Sequence, residues 1–282
     1  FGLRSLKVLG GSIPDHLRVG AVAPVPIPSA RRSELLGQLD WLERKALGGD
    51  ASPGAPTAVE LADLAEDIAY WVERDGEFAT SIVQLSTSNM TIARLLGVGS
   101  FPSAFSSCIV RQMAAPNGPD TGVDRERYAR SLSTALGSLI DEPAACLDLL
   151  LDERTMYALA AWDLLDATAL REFVSSGLMD SVLADLARLA DGFEVLQMLT
   201  RIATGPLDNG MSAGMARGVA LSMPVYFPLL AGGIFQTGGK PVRVSEFELT
   251  IGTYDEVANL FGSVLRGDDA AGALGVALGT FS

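Results

Sequence analysis

Of the side chains that most often bind transition metals or carry nucleophilic chemistry, the 282-residue chain has few: one histidine, His16, and two cysteines, Cys108 and Cys146. That is too little for a structural zinc site or for the disulfide framework of a small secreted domain. Two buried free thiols are the expectation, with a single Cys108–Cys146 bridge as the alternative. Positive charge is also scarce. Three Lys and 18 Arg stand against 34 acidic residues, for a formal charge of −13. Such a balance repels phosphate backbones, so nucleic acid is excluded as principal partner, and anionic membrane surfaces are disfavoured for the same reason. The opening FGLRSLKVLGG has no initiator Met, no basic-then-apolar signal sequence and no small-residue cleavage site, and the chain is read as a fragment of a longer protein.

What the chain has in quantity is apolar helix. Hydrophobic residues make up 48% and charged residues 20%, which is globular and slightly rich in apolar side chains. Capping residues followed by helical periodicity recur along most of its length. PVPIP at Pro24 to Pro28 reads as an extended lead-in, because alternating prolines fix φ and lack N–H donors. A first helix is expected from Ser33 to Leu47, with Leu35, Leu36, Leu39 and Leu42 on one face and Gly48 as its stop. Thr57 and Glu60 form a capping box on a second, whose apolar face is Leu61, Leu64, Ile68 and either Trp71 or Val72. Between Glu77 and Arg111 the only charge is Arg94, so that stretch is expected to be interior, as two or three short helices broken at Ser86 to Ser88 and at Gly97 to Pro102. Beyond the linker-like Ala115 to Gly122, Asp124 opens a helix and Asp141 with Pro143 another, and the pattern of a capping Asp and ten to twenty periodic residues continues. Thr253 and Glu256 form a second capping box, and Asp268 or Asp269 caps a last helix.

The fold class expected is all-α, an irregular multi-helix bundle or solenoid of about ten to twelve helices. Alternation at Val242, Val244, Phe247, Leu249 and Ile251 allows one short β-hairpin near 242–251. Domains are placed at 1–56, a Pro/Gly-rich lead-in with one helix; 57–207, a helical core; and 208–282, a C-terminal helical lobe. Glycines at Gly272, Gly275 and Gly279 are expected to let the last helix pack tightly on a neighbour.

The run Gly218 to Gly239 holds 22 uncharged residues, long enough to span a bilayer. Pro224 and Pro228 break it, and Gly232, Gly233, Gly238 and Gly239 give its last third turn character. The expectation is a buried helix from Ser212 to Met223, then a turn. The methionines Met215 and Met223 are expected in the core, and Tyr226, Phe227 and Phe235 against neighbouring helices; methionine also suits adaptable surfaces and exposed aromatics mark partner sites, so these five are the candidate interaction residues if they face outward.

Three motifs that resemble catalytic ones fail on context. GMSAG, Gly210 to Gly214, matches the G-x-S-x-G elbow, but TGPLDN before it is a loop and no histidine follows; Ser212 reads as an N-cap. GGIFQTGGK has Ile234 where a phosphate loop needs glycine and Pro241 where it needs Ser or Thr. GVGS at Gly97 lacks the third glycine of a dinucleotide fingerprint. The clusters Asp63/Glu66/Asp67, Asp152/Glu153 and Asp268/Asp269 sit where helix starts and polar faces favour negative charge. No catalytic, metal or cofactor-binding residue is assigned, and no cofactor is expected.

GMARGVALSMPVYFPLLAGGI, Gly214 to Ile234, and LTIGTYDEVANLFGSVLRGDDAAGALGVALGTF, Leu249 to Phe281, resemble the helical regions that follow a WXG100-type hairpin in actinobacterial proteins associated with type VII secretion, some of them polymorphic toxins. No Trp-x-Gly tripeptide is present. The resemblance implies a secreted or envelope-associated scaffold without catalytic residues, acting on a protein partner, and carries over no site residue. Three alternatives stay open: an enzyme whose carboxylates line a helical cavity, a module that inserts Gly218 to Phe235 into a membrane, and a cytoplasmic location. A small-molecule ligand is neither indicated nor excluded.

Overall fold

The computed structural model describes residues 25–48, 56–115, 124–162, 164–183, 192, 194–199, 201–202, 212–222, 242–244 and 247–249, with residues 258, 260–262, 265, 271–272 and 275–276 near the end. The described part is all-α apart from one hairpin. Its helices are α1 (Ser29–Ala46), α2 (Ala58–Val72), α3 (Gly76–Leu85), α4 (Thr91–Leu96), α5 (Ser103–Ala114), α6 (Arg125–Gly137), α7 (Pro143–Leu150), α8 (Glu153–Ala160) and α9 (Ala167–Leu183). Residues 194–199 and 213–222 are also helical. Strands β1 (Val242–Val244) and β2 (Phe247–Leu249) pair antiparallel with Val242 opposite Leu249 and Val244 opposite Phe247. The chain forms two compact units, residues 1–112 and 113–282.

In the first unit, α1, α2 and α4 pack on one another and α3 packs on α2. The capping box starts α2 as its sequence dictates: Thr57 Oγ1 accepts from Glu60 N, and the Glu60 carboxylate accepts from Thr57 N at 2.7 Å. Leu61, Leu64, Ile68 and Val72 are buried, and Val72, rather than the half-buried Trp71, completes that face. Helix α1 begins four residues earlier than its sequence pattern indicates, at Ser29. Pro28, at φ −56° and ψ 136°, stands at its N-cap without a side-chain cap, because a proline preset near the helical φ leads into a first turn unaided. The segment before it is strapped down, with Val25 N donating to Arg74 O at 3.1 Å and Ile27 N to Asp75 Oδ2 at 2.8 Å.

The start of α4 is capped from a distance. Its local N-cap residue, Met90, supplies no side-chain acceptor. Glu43, buried on the leucine face of α1, instead accepts from Thr91 N at 2.8 Å and from Thr91 Oγ1 at 2.7 Å, while Asn89 donates to Leu39 O at 3.4 Å. Asn89 Oδ1 also accepts from Thr91 N, at 3.1 Å, so a local amide and a distant carboxyl together serve this helix start, and the buried Glu43 side chain is hydrogen-bonded rather than left without a partner.

In the second unit, α9 packs most extensively on α7 and then on α6. Gly177 makes the α7–α9 approach possible. A Cβ there would stand 2.7 Å from Leu150 Cδ1 and 3.1 Å from the Leu147 backbone nitrogen. Helices α7 and α8 have eight residues each, shorter than the expected ten to twenty, and α7 is capped by Glu142 rather than Asp141, with no side-chain cap bond. Pro143, the first helical residue, has no N–H and so removes one of the four amides left without an intrahelical acceptor. The expected tight packing at Gly272 and Gly275 is overturned: both are exposed, and a Cβ on either would meet no described atom within 4 Å. Gly279 and the capping residues Thr253, Glu256, Asp268 and Asp269 lie outside the described residues.

Two variants test this packing. Gly177→Ala should lower stability by about 1–2 kcal/mol, because overpacking a tight backbone contact outweighs the helix-propensity gain. Gly137→Ala, with open space around its Cβ, should be neutral or slightly stabilising in the same urea titration. Glu43→Ala should cost about 1–3 kcal/mol by leaving the Thr91 amide and hydroxyl buried without this acceptor, and Glu43→Gln, which keeps an acceptor oxygen, should recover part of that loss.

Candidate functional site

Of the five candidate interaction residues, the structure describes one. Met215 is fully buried in the helix at 213–222, together with Ala216, Val219 and Ala220. Met223, Tyr226, Phe227 and Phe235 lie outside the described residues, as do His16 and the GGIFQTGGK loop. The helix at 213–222 is anchored at its first turn by Ser212. Its backbone N donates to Ala160 O at 3.0 Å, its Oγ donates to Trp162 O at 3.0 Å, and the same Oγ accepts from Met215 N at 3.2 Å. This is the geometry of a cap and a tether, with the hydroxyl turned to helix ends on either side. Further along, Gly218 lets the helix sit against α9, where a Cβ would meet Leu170 Cδ2 at 2.6 Å.

Trp162 is the centre of this region. Its ring stacks on Tyr128 at 5.2 Å with an interplanar angle of 17°, and the Arg125 guanidinium lies 5.3 Å from its centroid. The Tyr128 hydroxyl donates to Met113 O at 2.9 Å, satisfying the one polar atom of a fully buried ring. A buried aromatic sandwich, a capped helix and a close glycine contact make a rigid platform.

The two thiols are free. Burial pushes the Cys146 thiol up to about 12, and its Sγ donates to Leu139 O at 3.0 Å. Burial also raises Cys108, which is half-buried rather than buried as expected. Neither has the depressed pKa of a reactive cysteine. The carboxylates are similarly committed: Asp75, Asp124, Asp152 and Asp166 accept from backbone amides at helix starts, and Asp67 pairs with Arg31 at 2.7 Å. Partial burial alone would raise the Asp75 carboxyl, but amide donors from Ile27, Phe78 and Glu77 outweigh it and hold it below its usual value. Among the described residues no cluster of His, Cys, Asp and Glu could hold a metal ion, and no helix is long and apolar enough to cross a membrane.

A surface feature that sequence reasoning missed lies on the first unit. Trp41 is 43% exposed and Tyr70 50% exposed. Each is held by a neighbouring cation: Lys45 Nζ lies 4.9 Å from the Trp41 centroid, and Arg74 lies over Tyr70 at 3.7 Å. Lys45 also pairs with Glu60 at 2.7 Å, joining α1 to the start of α2. Trp41 is thus an exposed aromatic in a defined position rather than a loose one. Its i, i+4 spacing to Lys45 was the available signal.

No family model, no curated protein and no solved structure matches this chain.

The Lys45–Glu60 contact predicts a pH dependence. Hydrogen bonding from Lys45, then from the Thr57 backbone and side chain, lowers the Glu60 carboxyl from its ordinary 4.5 to about 2. A depressed folded-state value stabilises the fold above the unfolded value, and that stabilisation is lost as pH falls from 4.5 towards 2. Replacing Lys45→Met should raise the Glu60 midpoint towards the ordinary range in an NMR titration. An unchanged midpoint would show that the pairing is not formed in solution.

Proposed function

We propose that this chain is a non-enzymatic helical interaction or scaffold domain within a longer secreted or surface-associated bacterial protein, a substrate of a type VII secretion system. The observation that supports the non-enzymatic part is where the chemistry-bearing side chains go. Ser212 serves two helix ends, both thiols are raised by burial, and the aspartates at helix starts are engaged by amides. Groups so committed are poor nucleophiles and bases, because activating one would uncap a helix or expose an apolar core. Exposed Trp41 and Tyr70, held in place by cations, are the kind of rigid aromatic anchor that protein interfaces use. The secretion part rests on the resemblance of Gly214–Ile234 and Leu249–Phe281 to helical regions of type VII-associated proteins.

Export is the measurement that tests it. The parent protein carrying this chain, tagged and expressed in an actinobacterial host, should reach the culture filtrate when the type VII export ATPase is intact and be retained when it is disabled. Equal amounts in both filtrates would overturn the secretion assignment. Turnover of a substrate that is lost with Asp63→Asn or Glu66→Gln, both exposed carboxylates outside the caps, would overturn the non-enzymatic one.

A further inference from the structure

The outward side of α1 carries a glycine that nothing around it requires. Gly37 sits mid-helix, is exposed, and has no described atom within 4 Å of where its Cβ would be. Glycine there weakens the helix by about 1 kcal/mol relative to alanine. One turn on, at the same face, stands Trp41, large, exposed and fixed by Lys45. One turn outside this pair on either side are Glu34 and Arg44, both exposed. The four residues Glu34, Gly37, Trp41 and Arg44 follow the 3-4-3 spacing of a helix–helix seam.

Their order is acid, notch, knob, base, and it is complementary to itself when reversed. If a second α1 is laid antiparallel with its twofold axis beside residue 39, Trp41 of each copy falls opposite Gly37 of the other, and Glu34 opposite Arg44. The absent side chain of Gly37 admits an indole at the short interaxial distance of about 8 Å that close helix pairs reach. Each carboxylate meets a guanidinium across the seam. Both charges have intrahelical partners, Glu34 with the half-buried Arg31 at 2.8 Å, which also pairs with Asp67, and Arg44 with the exposed Asp40 at 2.9 Å; such surface pairs can be shared or exchanged.

We infer that this face of α1 is a homodimerisation seam whose occupant is the same face of a second copy of the chain. A self-complementary patch of this kind is what a twofold interface needs. One helix pair lies at the small end of protein interfaces, so the dimer is weak, with a dissociation constant of the order of 100 μM. The inference stands apart from the secretion assignment and survives its failure.

Sedimentation equilibrium on the full chain tests it through charge reversal. The wild type should show a monomer–dimer equilibrium, and Glu34→Arg or Arg44→Glu alone should each raise the dissociation constant about tenfold, because two attractive pairs per dimer become repulsive. An equimolar mixture of the two variants should associate as the wild type does, since the mixed pair restores both contacts. Gly37→Leu should abolish association by filling the notch while leaving the far-ultraviolet circular dichroism intact. A protein that stays monomeric to about 1 mM, a dimer indifferent to the reversals, or a mixture no tighter than its components would each overturn the seam and leave the face to some other occupant.

Discussion

The structure depends on how its helices begin. Each start leaves four backbone N–H groups without an intrahelical acceptor, and a chain cut into helices of six to eighteen residues has many starts for its length. Aspartate meets most of the demand, at α3, α6, α8 and α9. Thr57 and Ser212 serve two more, and Pro143 removes a donor at α7. At α4, where the N-cap residue Met90 has no acceptor, Thr91 N is shared between the nearby Asn89 Oδ1 and the buried Glu43 of α1, 48 positions away. Part of the acidity of the chain is therefore structural. Negative charge at helix starts also opposes the positive end of the helix dipole.

Backbone proximity is the second constraint. Short helices bury little apolar surface each, so they must approach closely to form a core. Gly177 and Gly218 allow α7, α9 and the helix at 213–222 to do so, and Trp162, buried, stacks on Tyr128. In the second unit large aromatics are used inward, as Tyr128, Trp162 and Phe173 show. In the first, Trp41 and Tyr70 remain outside, which is why the surface of interest lies there.

Much of the first helices was legible because their signals are local. The Thr57/Glu60 capping box, the leucine spacing of α1 and the breaks that divide 77–111 into short helices each concern residues a few positions apart, although that stretch is not interior throughout, since Gln84, Ser88, Gly97, Val98 and Ser100 are exposed. Ser212 was legible as a cap for the same reason, once the loop before it had removed the elbow reading. The part Glu43 plays at the start of α4 was not, since it lies 48 positions from Thr91 in the sequence. Trp41 was passed over because the periodicity of α1 draws attention to its leucines. Gly272 and Gly275 misled in the opposite direction: their spacing permits close packing, but only a neighbour can use it, and among the described residues none does.

Composition and pattern by themselves determined that this is an acidic, helical protein, because net charge is a count and helix periodicity and capping are properties of short segments. Tertiary structure alone decided that Glu43 helps to cap a distant helix, that Cys108 is only half-buried, and that Trp41 faces out beside an unfilled glycine notch. Those outcomes turn on which surfaces of different helices meet. Burial and pairing belong to the contact between helices and are not carried by either one alone.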